Sequence, residues 1–260
     1  MAVADMEKIE SGSGDLIYGR NSVTERLKRC ESADTLYICG EEGDRAIGYI
    51  SALAREKGAV VKTVHPLKME KMCGSERHQG VALLCALCDY CSVDDIFAYA
   101  WERGEQPLLV LVDGIEDPHN LGAIIRSAEC LGAHGVLIPK RRGCTVTATV
   151  HRASAGACSA MHIARIGNLA SEIKEIKKRG VFCYCADMDG ADCSRTDMTG
   201  AAALVVGSEG YGVSRLVKEL CDFTVRIPMC GTINSLNASV AAGILLYEFS
   251  RQRAGKEKAQ

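Results

Sequence analysis

Leu108-Leu109-Val110-Leu111-Val112-Asp113-Gly114-Ile115-Glu116-Asp117-Pro118-His119-Asn120-Leu121 is the stretch on which the fold turns. Five apolar residues without alternation predict a strand covered on both faces, as parallel sheets require. A short polar loop follows. Asp117-Pro118 then predicts a helix start, with Asp as cap and Pro at the first helical position, where its missing N–H costs nothing. Leu121, Ile124, Ile125, Ala128 and Leu131 share one face of that helix, which must be the core face. At about 100° per residue Arg126 projects from the opposite face, and Asn120 lies on the flank near the helix start. Taken alone, Arg126 reads as a solvated charge. The strand–loop–helix pattern recurs downstream. Further strands are predicted at 135–138, 162–166, 181–186, 203–207 and 223–227, and helices at about 120–131, 168–179, 213–220 and 237–252. That alternation specifies an α/β domain with a mostly parallel sheet over 107–254, followed by a tail at 255–260.

Two more strand ends carry polar, glycine-bearing loops. Leu204-Val205-Val206-Gly207-Ser208-Glu209-Gly210-Tyr211-Gly212 reads as a buried strand and a turn. Glycines there let a ligand approach the backbone. Their order is not the dinucleotide fingerprint, and no Lys-Ser/Thr pair follows, so neither NAD nor ATP is indicated. Ile227-Pro228-Met229-Cys230-Gly231-Thr232-Ile233-Asn234-Ser235-Leu236-Asn237 is again a strand end and a helix start. Ser235 and Asn237 can cap the helix, and its N-terminus suits an anion. Each block has a plain reading as a turn or a cap. Together they place three polar loops past three strands of one sheet, the layout of a small-molecule site.

Upstream, the pattern is a smaller α/β unit over 15–88. Helices are predicted at 23–30 (capped by Asn21 or Ser22), 46–57 and 66–72, with strands at 35–39, 59–64 and 80–85. An acidic stretch at 89–106 reads as a connecting helix, and residues 1–14 as a disordered tail. With 260 residues, 47% of them hydrophobic, the chain can bury one large or two small cores. Its net charge of -2 excludes a uniformly basic nucleic-acid binder and leaves room for local basic clusters. The densest is Lys140-Arg141-Arg142. No apolar run reaches the ~20 residues of a membrane helix. The polar, acidic N-terminus carries no signal-peptide core, so a cytoplasmic protein is expected. Fourteen cysteines in such a chain read as reduced, mostly buried thiols. Cys85, Cys88 and Cys91 are spaced for a metal, but a fourth ligand is missing, and Cys85 lies in an apolar strand run. No metal is expected.

In order and spacing the three blocks resemble the motifs of the SpoU/TrmH branch of the SPOUT RNA methyltransferases. The likeness spans Asn120 to Arg126, Gly207-Ser208-Glu209-Gly210, and Ile227-Pro228-Met229 through Ser235-Leu236-Asn237. Ile17-Tyr18-Gly19-Arg20-Asn21-Ser22-Val23 and Arg77-His78-Gln79-Gly80 resemble the small, ribosomal-protein-like substrate-binding domain of the subgroup acting on guanosine in large-subunit ribosomal RNA. The resemblance implies a deep trefoil knot, a homodimer, and transfer of a methyl group from S-adenosylmethionine to a ribose 2′-hydroxyl of RNA. It assigns donor contacts to Gly207, Ser208, Ile227, Met229 and Leu236. It gives Arg126 the central catalytic role, either as proton acceptor or as a clamp that grips phosphate and stabilises the alkoxide. A guanidinium is normally never deprotonated in proteins, which stands in tension with the proton-acceptor role, and the sequence does not separate the two. Asn120, Glu209, Ser235 and Asn237 then orient ribose, arginine and donor, with Glu209 as the alternative proton acceptor. Arg20, Arg77, His78, Lys140, Arg141 and Arg142 are the expected RNA contacts. The rival expectations are a transfer RNA ribose methyltransferase, which typically lacks the small domain, an antibiotic-resistance methyltransferase, and an inactive RNA-binding ribosome-assembly protein.

Overall fold

The computed structural model describes residues 16–29, 33–39, 44–85, 88–232 and 235–257. The chain forms two units, divided between Asp89 and Tyr90. The expected tail at 1–14 lies outside the described residues.

In the smaller unit the elements are β1 (Leu16–Tyr18), α1 (Arg20–Arg29), β2 (Ala33–Ile38), α2 (Arg45–Glu56), β3 (Val60–Thr63), α3 (Pro66–Cys73) and β4 (Val81–Cys85). Its sheet runs β1-β4-β2-β3. β4 is antiparallel to both neighbours, and β2 pairs β3 in parallel. Val23, Leu27, Leu36, Ile50, Val81 and Leu83 are buried together as its core. Asp44 caps α2 by accepting from the Ala46 and Ile47 amides. α1 begins at Arg20, earlier than a cap at Asn21 or Ser22 would place it. At Gly80, φ is +81°, and a Cβ would collide with the Cys39 carbonyl oxygen, so glycine is required.

The larger unit contains β5 (Tyr90–Cys91), α4 (Val93–Glu102), β6 (Leu108–Asp113), α5 (Pro118–Cys130), β7 (Gly135–Pro139), α6 (Ala148–Ala153), β8 (Ile163–Ile166), α7 (Leu169–Lys178), β9 (Phe182–Asp192), β10 (Ala202–Gly207), α8 (Arg215–Leu220), β11 (Phe223–Arg226) and α9 (Ala238–Glu257). Its sheet runs β11-β9-β10-β6-β7-β8-β5, parallel at every pairing. Leu108, Leu109, Val110 and Leu111 are buried completely or nearly so. Burial of each such side chain contributes about 1.5–3 kcal/mol. Strand order reverses at β6, where Asp113 stands in register with Gly207 of β10. Ligands of open parallel sheets bind past the carboxyl ends of strands at such a reversal.

Three sequence readings change. Residues 89–106, expected as a connecting helix, begin with an edge strand, β5, paired with β8. They continue into α4, whose Ile96 and Phe97 lie in the large unit's core. β9 runs to Asp192 instead of stopping at Ala186, because β11 pairs with its second half across a register shift. α9 continues past residue 254, where a tail was expected. Among the described residues, no group of three or more His, Cys, Asp or Glu could hold a metal ion. Among the described residues, no helix is long and apolar enough to cross a membrane. Cys39, Cys158, Cys183, Cys185 and Cys193 are buried, unpaired thiols.

Candidate active site

The loop after β6 ends at Asp117, whose carboxylate accepts from the His119 amide and caps α5. Three residues later Asn120 is buried. Its Nδ2 donates to Glu209 Oε1 at 3.1 Å. Asn237, before α9, completes the group: its Nδ2 donates to Asn120 Oδ1 at 2.8 Å and also to Glu209 Oε1. The other end of Asn237 is a helix cap. Its Oδ1 accepts from the Ser239 amide at 2.9 Å, the Ser239 hydroxyl at 2.6 Å and the Val240 amide at 3.2 Å. One amide side chain thus fixes the start of α9 and joins the second and third blocks to the first.

Glu209 sits on a rigid turn. The Ser208 amide donates to Gly212 O at 3.1 Å and the Gly212 amide returns to Ser208 O at 2.8 Å. A Cβ on Gly207 would collide with the Gly212–Val213 backbone folded over it. The turn itself therefore demands glycine at 207, beyond any need for ligand approach. Asp113, at the end of β6, accepts from the Ser214 amide at 2.8 Å and ties the far side of the turn to the sheet.

Beside this group lies a cavity of about 810 Å³, within the range of small-molecule sites. All five predicted donor contacts, Gly207, Ser208, Ile227, Met229 and Leu236, line it, as do Glu209 and Ser235. Val206, Ala241 and Leu245 add apolar wall. Asp187 and Asp189, from the unforeseen second half of β9, line it too. Lys218 sits 2.8 Å from Asp187 and 3.7 Å from Asp189. Burial pushes the Asp187 carboxyl up, but the Lys218 ammonium and the Asp189 amide outweigh it and hold the group below its usual range. An Asp-Met-Asp-Gly run directly after an apolar strand was the available signal for this wall. Ile233 and Asn234 of the third block lie outside the described residues.

The remaining predicted residues divide. Arg126 is exposed on α5, six residues and about 9 Å of helix rise beyond Asn120, and is not hydrogen-bonded to the Asn120–Glu209–Asn237 group. Arg141 and Arg142 are exposed, Lys140 half-exposed, in the loop after β7. The Cys144 amide donates to Ile115 O at 2.7 Å, which ties that basic loop to the one after β6. Arg142 holds φ at +59°, a left-handed conformation unusual for arginine. Of the three expected RNA contacts in the small unit, Arg77 is exposed. Arg20 is engaged by Asp44 at 2.6 Å and by the Gln79 carbonyl at 3.0 Å. His78, expected to face RNA, is buried: its Nδ1 accepts from the Gly80 amide at 3.0 Å and lies 3.9 Å from Cys39 Sγ. Its ring holds a turn.

Comparison with known proteins agrees with this geometry. Residues 107–247 match the SpoU rRNA Methylase family, and residues 16–90 match the family described as RNA 2'-O ribose methyltransferase substrate binding. The chain belongs to the SpoU/TrmH family. It is 41% identical, over 92% of its own length and 96% of the other's, to a Bacillus subtilis protein named as a TrmH family tRNA/rRNA methyltransferase, YacO. It is 43% identical to an uncharacterized tRNA/rRNA methyltransferase of Mycobacterium sp. (strain KMS), covering 92% of this chain and 77% of that one. Among solved structures, the SpoU methyltransferase AviRb from Streptomyces viridochromogenes, in complex with AdoMet, superposes with a TM-score of 0.59 at 26% identity. That match covers 92% of this chain and 90% of AviRb. The A. aeolicus TrmH/SpoU tRNA modifying enzyme gives 0.54 at 30% identity over 59% of this chain and 78% of its own. This SpoU/TrmH protein is therefore an RNA methyltransferase with S-adenosylmethionine as its methyl donor. The cavity fits that donor: apolar walls such as Val206, Ala241 and Leu245 suit the adenine, and the carboxylates of Asp187, Asp189 and Glu209 suit its hydroxyls and ammonium.

Proposed function

We propose that the acceptor is a ribose 2′-hydroxyl of large-subunit ribosomal RNA, at a guanosine, and that the working form is a cytoplasmic homodimer. The observation that carries the acceptor is the Asn120–Glu209–Asn237 group beside the donor cavity. It offers paired amide and carboxylate atoms of the kind that hold a hydroxyl, in a pre-set geometry that aligns the reactants. Gly207, Ser208, Ile227, Met229 and Leu236 hold the donor, which supplies an electrophilic methyl group. Glu209 accepts a hydrogen bond from the ribose hydroxyl, Ser235 adds a hydroxyl, and Arg126 stabilises the developing alkoxide and grips phosphate. Lys140, Arg141, Arg142 and Arg77 contact the RNA backbone. Residues 16–90, matched by a substrate-binding family, favour ribosomal RNA, because the match to the tRNA modifying enzyme covers only 59% of the chain.

The dimer reading is supported by Val240, Ile244 and Tyr247, which form an exposed stripe at four- and three-residue spacing on α9. α9 packs on α5, which bears Arg126. A second copy covering the stripe would bury that apolar face. The trefoil knot belongs to the same reading, supported by the packing of α9 back onto β10 and α5. The test is methyl transfer from labelled donor to total RNA of a strain lacking the gene. Label in 23S RNA, at one alkali-resistant linkage, is expected. Label confined to transfer RNA would replace the ribosomal target, and label on a base would overturn the ribose reading.

A further inference from the structure

Tyr211 stands at the tip of the Ser208–Gly212 turn and is 96% exposed, more than any other large apolar side chain described. Its hydroxyl has no protein partner among the described residues. Its backbone, by contrast, is held. Ser208 and Gly212 are bonded to each other in both directions across the turn, and the Tyr211 amide donates to Ser208 Oγ at 3.4 Å. The ring is thus presented on a stiff support, and stacking on it costs little backbone ordering. Tyr211 is also two residues from Glu209 and borders the donor cavity, with the exposed Met188 and Met229 on the same cavity.

A ribose seated at the Asn120–Glu209–Asn237 group carries its base at C1′, and that base must leave its neighbours for the hydroxyl to enter the site. Unstacked RNA bases are commonly received on aromatic faces. The donor's adenine is the competing partner for this ring, because Tyr211 lines the same cavity; donor affinity decides between them. From this geometry we infer that Tyr211 is a stacking platform for a nucleobase of the bound RNA. This inference rests on the ribose reading above.

Tyr211→Phe, Tyr211→Leu and Tyr211→Ala are to be compared by methyl transfer to total RNA of a strain lacking the gene. Donor affinity is measured by calorimetry, and binding to poly(U) is followed against salt. Tyr211→Phe is expected to behave as the parent. Tyr211→Leu and Tyr211→Ala raise the KM for RNA about tenfold, the scale of one lost stacked base. Donor Kd stays unchanged, and the slope of poly(U) affinity against salt is unaltered because no charge is lost. An unchanged KM, a leucine variant as good as phenylalanine, or a donor Kd that rises in parallel overturns the platform. Label on a base with the parent protein fails the ribose reading instead, and so the two failures are told apart.

Discussion

The larger unit holds two polar clusters at opposite ends of the same sheet, and they are built to different ends. At the start of the strands His134 is 2% exposed: Nδ1 accepts from the Leu108 amide at 3.0 Å and Nε2 donates to Glu105 at 3.1 Å. Nearby Arg253 donates to the carbonyls of Gln106, Pro107 and Gly200 at 2.6–3.0 Å. Burial pushes that guanidinium down to about 10. Every partner in this cluster is backbone or a neighbouring side chain of the fold. At the far ends of the strands Asn120, Glu209 and Asn237 bond to one another, and Glu209 also lines a cavity. The second carboxylate oxygen of Glu209 keeps no protein partner among the described residues. Burial and polarity alone do not mark a site; what marks it is where the unused bonding capacity points.

That contrast can be broken experimentally, first at its strongest point. Arg126→Ala is expected to lower methyl transfer about 10²- to 10³-fold, the scale of one electrostatic catalytic group, with thermal stability unchanged because the side chain is exposed. A loss of activity matched by a loss of melting temperature would move Arg126 into the scaffold. At the other end, Arg253→Met leaves three backbone carbonyls without their donor. It should cost about 2–4 kcal/mol in denaturant unfolding, with turnover per folded molecule preserved.

Asn237 belongs to both categories, and its halves can be separated. Asn237→Ser keeps a capping oxygen and removes the amide donors. Stability should stay within about 0.5 kcal/mol while activity falls about tenfold. Equal loss in both would show that the cap alone matters.

The smallest effect lies in pH. Burial, ahead of the opposing pull of Glu105, lowers the His134 pKa, with Arg253 and Arg103 adding to the fall. The unfolded chain therefore takes up a proton that the folded state refuses. Stability is full above the unfolded value of about 6.5 and declines below it, by at most about 1.4 kcal/mol per pH unit. His134→Gln should flatten urea midpoints between pH 5 and 7.

Sequence carried the site further than the scaffold around it. Apolar strand runs and their polar loops announce themselves by composition, and three such loops past one sheet define a cavity before any coordinates exist. α6 left no comparable signal. It spans six residues, with β-branched Thr149 and Val150 inside, and is held by the Thr147 cap and by packing over Gly122, where any Cβ would strike Ala153. The second half of β9 reads as loop because Asp187, Asp189 and Asp192 dominate it. Its pairing depends on Gly190 fitting against the Thr224–Val225 backbone of β11. His78 was misjudged because a motif says which residue is present, and only the Cys39 and Gly80 backbone around it says which way it turns.

Gly207 has a consequence for how this chain can vary. Every other amino acid carries a Cβ, and the Gly212–Val213 backbone occupies that space. No single step in sequence space from Gly207 is silent: each must lift the turn, and with it Glu209. Tyr211, four residues on, meets no such wall. One loop therefore pairs a position closed to any side chain with a position where a large one stands in open space.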